Sequence, residues 1–149
     1  MSGMNSWHPW RLARDLHPDL DIDCTRRLSP GHMGLIGRRT IWLHRGLSQA
    51  ERRCTLTHEL VHIERRGREH HDPDVEEQIV ELESARRLVT LEQLVDAFLW
   101  LRHPCLHDLA DHLWVDQQTA WMRMEHLDPL EVAAVEAACD GDWSWQPPA

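Results

Sequence analysis

His58-Glu59-Leu60-Val61-His62 is the stretch whose reading decides the fold. It matches H-E-x-x-H, and on a helix two imidazoles four residues apart share one face and can grip a single metal ion. The glutamate between them sits where it can take a proton from a water activated by that metal. The flanks support a helix. Ser48 and Glu51 form an S-x-x-E capping box, which satisfies free N–H groups at a helix start. Residues 49–66 contain no glycine or proline, and Gly67 is a natural stop. Cys54, Leu56, Leu60, Val61 and Ile63 spread apolar groups around much of this helix, so it belongs inside a domain. Buried His, Glu and His need something to bind or neutralise them, because unpaired buried polar groups are costly.

Composition narrows the class. A chain of 149 residues is expected to form one domain, 1–149, with a core large enough to stand without disulfides. Its net charge of −9 argues against a general nucleic-acid or anionic-membrane binder. Apolar runs are too short for a transmembrane helix, and residues 1–10 lack the pattern of a secretory signal. Cys24, Cys54, Cys105 and Cys139 are scattered with no C-x-x-C pair, which reads as reduced packing thiols in a cytoplasmic protein.

Outward from the motif, residues 28–37 and 39–44 read as two antiparallel strands that lead into the H-E-x-x-H helix. A short helix is expected over residues 9–16, followed by an acidic segment, 15–23. Beyond Gly67 and a polar connection, Asp72 or Asp74 can cap a helix that runs to about residue 89. Thr90 and Gln93 cap another over 91–101, which Pro104 stops. Helices follow at about 106–114, 117–127 and 129–139, the last capped by Asp128 and Glu131. An extended tail with Trp143, Trp145, Pro147 and Pro148 closes the chain. The fold class is therefore α+β and mostly helical: a small antiparallel sheet beside the motif helix, then a C-terminal helical bundle. The core spans about 28–103, the helical part about 104–139 and the tail 140–149.

Two histidines need a third ligand, since three protein groups plus water is the usual catalytic zinc set. Arg65 and Arg68 occupy the positions where a metzincin has Gly and His, which excludes that class. His70 and His71 read as solvated loop residues. On the helix after Pro73, Glu77, Val80, Glu81, Ser84, Ala85 and Leu88 share one side, whereas Glu76, Glu83 and Arg87 form a flank that reads as solvent. A buried carboxylate beside small residues suits a ligand, so Glu77 or Glu81 is the candidate. Were Asp74 the N-cap, Glu77 would instead be its capping-box partner.

These stretches resemble the ImmA/IrrE family of metallo-endopeptidases. The matching residues are Arg52-Arg-Cys-Thr-Leu-Thr-His58-Glu-Leu-Val-His62 and Glu77-x-x-Val80-Glu81-x-x-Ser84-Ala85-Arg-Arg-Leu88-Val89, and the likeness covers about residues 30–127. Val80, Glu81 and Thr90 depart from the family's usual residues. The resemblance implies a zincin-like core with Zn2+ held by His58, His62 and Glu77, and Glu59 as general base. It also implies intracellular endopeptidase activity on a protein substrate such as a helix-turn-helix repressor, in a protein of phage or mobile-element type. The chain has no tyrosine to stabilise an oxyanion; His44, His70, His71 and His107 are the alternatives.

Residues 109–127 have a helix-turn-helix cadence, with Gln117, Gln118 and Arg123 available for DNA. Asp108, Asp111, Asp116 and Glu125 surround them, which favours a packing or partner-docking bundle over a DNA reader. A zinc-binding regulatory protein without turnover is the other alternative.

Overall fold

The structure, a computed structural model, describes residues 7–147; residues 1–6, and Pro148 of the expected extended tail, lie outside them. Two compact units divide the described chain, residues 8–84 and residues 85–147 with Trp7.

The first unit begins with α1 (Pro9–Leu16), β1 (Asp21–Asp23), β2 (Gly34–Ile36) and β3 (Thr40–Leu43). It continues through α2 (Gln49–Glu64) into α3 (Pro73–Leu88), whose last turn belongs to the second unit. The expected antiparallel pair is present, with Leu35 opposite Trp42 and Ile36 opposite Ile41. The sheet as a whole is mixed, however, because β1 adds to the other side of β3 in parallel and gives the order β1-β3-β2. β1 is Asp-Ile-Asp, and two acids in three residues hid it inside an acidic segment. Its single apolar residue, Ile22, packs against the core.

Along β3 the alternation of side chains sends Ile41 and Leu43 inward, onto Ala13, Leu56 and Leu60. α2 is buried over most of its circumference between Arg53 and Val61. Its capping box forms in full: the Ser48 hydroxyl accepts from the Glu51 N–H at 3.1 Å, and Glu51 accepts from the Ser48 N–H at 2.9 Å. The helix ends at Glu64, short of the expected Arg66, and the chain turns out through Gly67 at φ +84°.

In the second unit α4 (Leu91–Leu101), α5 (Leu106–Leu113), α6 (Gln117–Glu125) and α7 (Pro129–Cys139) pack around Leu94, Phe98, Leu109, Ala120 and Val135. Arg123 does not face solvent as a DNA reader would. It is 3% exposed, donates to the Val89 carbonyl at 2.7 Å and forks onto Glu131. The described part of the tail, up to Pro147, is anchored: Ser144 N–H donates to Arg102 O at 2.9 Å, and Trp143 meets Phe98 edge-on.

Candidate metal centre

α2 places His58 and His62 one turn apart, with ring centroids 4.8 Å from each other. Glu77, in the first turns of α3, reaches across to both. Its Oε1 lies 2.7 Å from His58 Nε2 and its Oε2 lies 3.0 Å from His62 Nε2. One ligand atom from each of the three residues falls within 4.8 Å of the others. The histidine side chains are 24% and 28% exposed and Glu77 is 47% exposed, so the cluster opens to solvent. Two imidazole nitrogens and one carboxylate, open on one side, suit a divalent cation that keeps a position for water.

Glu77 is thus not the buried carboxylate expected from its helix face. Nor is it a capping residue. Asp72 fills that role, its carboxylate accepting from the Asp74 N–H at 2.9 Å. The buried glutamate is Glu76, assigned to a solvent flank by the sequence; it is 6% exposed. Arg65 donates to both of its oxygens at 2.7 Å, and the His70 N–H donates to Oε1 at 2.9 Å. The Arg65 guanidinium and the His70 N–H together hold the Glu76 carboxyl down at about 2. Glu81 lies half-buried, its pKa raised first by burial and then by the charge of Glu77, and it is not part of the ligand cluster.

Glu59, between the two histidines in sequence, is buried. Desolvation first, and then the charge of Glu77, push its carboxyl up to about 7. Strand β2 runs directly over it. A β-carbon at Gly34 would lie 2.6 Å from Thr55 Cγ2 and 3.1 Å from Glu59 Oε1. Met33 O accepts from His44 N–H and Gly37 N–H donates to Thr40 O, which fixes the alternation of the ladder. Gly34 and Ile36 therefore turn their N–H and C=O groups away from β3, toward the open edge of the sheet.

Of the residues considered for an oxyanion, His44 is engaged by the Leu28 N–H at 2.9 Å. His70 and His71 stack on each other, with centroids 4.3 Å apart. His107 belongs to the second unit and pairs with Asp111 at 3.3 Å.

A motif helix against a small sheet, with a carboxylate from the next helix facing the two histidines, fits the expected zincin-like core. The comparison with protein families agrees: the family model for the IrrE N-terminal-like domain, Peptidase_M78, matches residues 17–115, and the chain belongs to that family. No curated protein and no solved structure matches it. No helix among the described residues is long and apolar enough to cross a membrane.

Two features of the site are not legible in the sequence: the Arg65–Glu76 pair and the approach of Gly34 to Glu59. The first had a weak signal, an arginine three residues after the second histidine. The last had none, because a glycine in a strand does not say what it passes.

Proposed function

We propose that this protein is a cytoplasmic zinc-dependent endopeptidase that cuts a regulatory protein, a helix-turn-helix repressor being the substrate the family resemblance suggests. The observation that carries the reading is the convergence of His58, His62 and Glu77 within 4.8 Å beside a buried glutamate. Zinc held by these three groups would supply Lewis acidity, acidifying a water and polarising a peptide carbonyl.

The rest falls to the chain's own side chains. Glu59, with its carboxyl near neutrality, is suited to accept the proton of the attacking water and return one to the leaving amine. The outward N–H and C=O groups of Gly34 and Ile36 can hold an extended substrate backbone as an added strand. Gly34 lets that strand pass close to the general base.

The test is incubation of purified, zinc-loaded protein with a candidate repressor, alongside Glu59→Gln. Cleavage by the wild type and none by a Glu59→Gln protein that still holds zinc supports the reading. Equal cleavage by both would sink Glu59 as the base, and zinc binding without cleavage of any regulatory partner would favour a non-catalytic zinc-binding regulator. Loss of cleavage on chelation, restored by zinc, ties the activity to the metal.

A further inference from the structure

Glu77 has a positional problem. Nearly half of its side chain is exposed, and its hydrogen-bonding partners are the same Nε2 atoms that would ligate the ion. Once a cation takes those nitrogens they can no longer donate to the carboxylate. The direction in which Glu77 points must then come from α3 itself. α2 packs closely against α1, β2 and β3. A side-chain link from α2 to α3 that does not pass through the ligand nitrogens can hold that direction.

The Arg65–Glu76 pair is such a link. Arg65 is three residues past His62, at the end of α2, and Glu76 immediately precedes Glu77 on α3. The guanidinium holds the carboxylate with two parallel bonds of 2.7 Å, a fork that fixes orientation as well as distance. The Glu76 carboxylate also takes the His70 N–H at 2.9 Å, which ties in the connecting loop. That loop is closed further by Arg68 N–H to Arg65 O at 2.8 Å and Gly67 N–H to Glu69 at 2.7 Å. Neighbouring residues on a helix are about 100° apart, so clamping Glu76 sets the rotation of α3 and with it the heading of Glu77.

We propose that Arg65 and Glu76 are positioning residues that aim Glu77 at His58 and His62. The inference rests on the metal-centre reading above and names no role in bond cleavage.

The experiment titrates the full chain with zinc against a competing chelator, and with cobalt(II), whose visible absorption reports ligand number and geometry. Wild type, Glu76→Gln, Arg65→Met, Arg65→Lys and Glu77→Ala are compared, each with its metal-free melting temperature. The expected result is that Glu76→Gln and Arg65→Met bind zinc about 10-fold more weakly. Their cobalt spectra should move toward that of Glu77→Ala. Arg65→Lys, which keeps the charge but loses the fork, should fall between them and wild type; it also gives the reading if Glu76→Gln does not fold. Lower melting temperatures with unchanged zinc affinity and cobalt spectra would assign the pair to the fold alone and overturn the proposal. Wild type that binds neither ion overturns the metal centre and this proposal together. Binding that is lost in Glu77→Ala and untouched in the Arg65 and Glu76 variants overturns the proposal only.

Discussion

Gly34 passes so close to Glu59 that a β-carbon there would stand 3.1 Å from the carboxylate oxygen and 2.6 Å from Thr55 Cγ2. The edge of the sheet and the general-base candidate are built against each other, and the missing side chain makes this possible.

Gly34→Ala should therefore destabilise the chain by about 1–3 kcal/mol through overpacking. Thr55 is the tighter contact, so adding Thr55→Ser, which removes the obstructing methyl, should restore much of the loss. Denaturant midpoints of the two single variants and the double variant check this. Strictly additive losses would mean that the two positions do not meet.

Burial of Glu59 makes a pH-dependent contribution to stability in the metal-free chain. Its folded pKa is about 7, against an ordinary 4.5. The native state therefore keeps a proton that the unfolded chain releases first. The contribution is complete below about 4.5, falls as pH rises, and is gone above about 7. Between those limits chelated wild type should lose on the order of 3 kcal/mol relative to Glu59→Gln. Unfolding free energies of both proteins at pH 4.5, 6 and 8 test the sign. A difference that grows in the opposite direction would contradict the burial of Glu59.

Glu77 and Glu81 should separate cleanly in metal binding. Glu77→Ala removes one of the three converging groups, and zinc affinity should fall by more than about 100-fold, beyond the usual effect of a supporting residue. Glu81→Ala should leave affinity within about 3-fold of wild type, a small change on the same scale. In wild type, free zinc at about 100 times its Kd should add about 2.7 kcal/mol to stability, and a chelator should remove it. Calorimetric titration and thermal melts supply both measurements.

The second unit has its own sensitive pair. Arg123 is buried against Glu131 and the Val89 carbonyl, and Arg123→Met would leave the Val89 carbonyl without this donor and the buried Glu131 carboxylate with only the 3.3 Å bond from the Asp128 N–H. The expected cost is about 3–5 kcal/mol. Chemical denaturation followed by far-UV circular dichroism reads it. A loss below about 1 kcal/mol would place the pair in a far wetter setting.

Much of this architecture is written locally. The capping boxes at Ser48, Thr90 and Asp128 all form, because a hydroxyl or carboxylate three residues before Glu or Gln acts within a single turn. The two histidines and Glu59 follow from helical spacing alone. What stayed hidden depends on chain segments meeting at a distance. β1 is recognised only by its pairing with β3, since Asp-Ile-Asp has no strand signature of its own. The burial of Glu76 and Glu77 was exchanged, while Glu77 is the one that meets the histidines: helical periodicity sorts faces but cannot say that Arg65 will meet one of them. Arg123 looked like a surface cation because its partner lies eight residues on, in the following helix.

Strand β2 is only three residues long. At about 3.3 Å per residue it spans roughly 10 Å, enough to grip about three residues of an extended polypeptide. Under the proposed function, three positions would carry too little information to single out one bond among many. A rail so short would leave discrimination to the shape of the folded target, a loop presented at the right height and angle being cut while the same sequence elsewhere is spared.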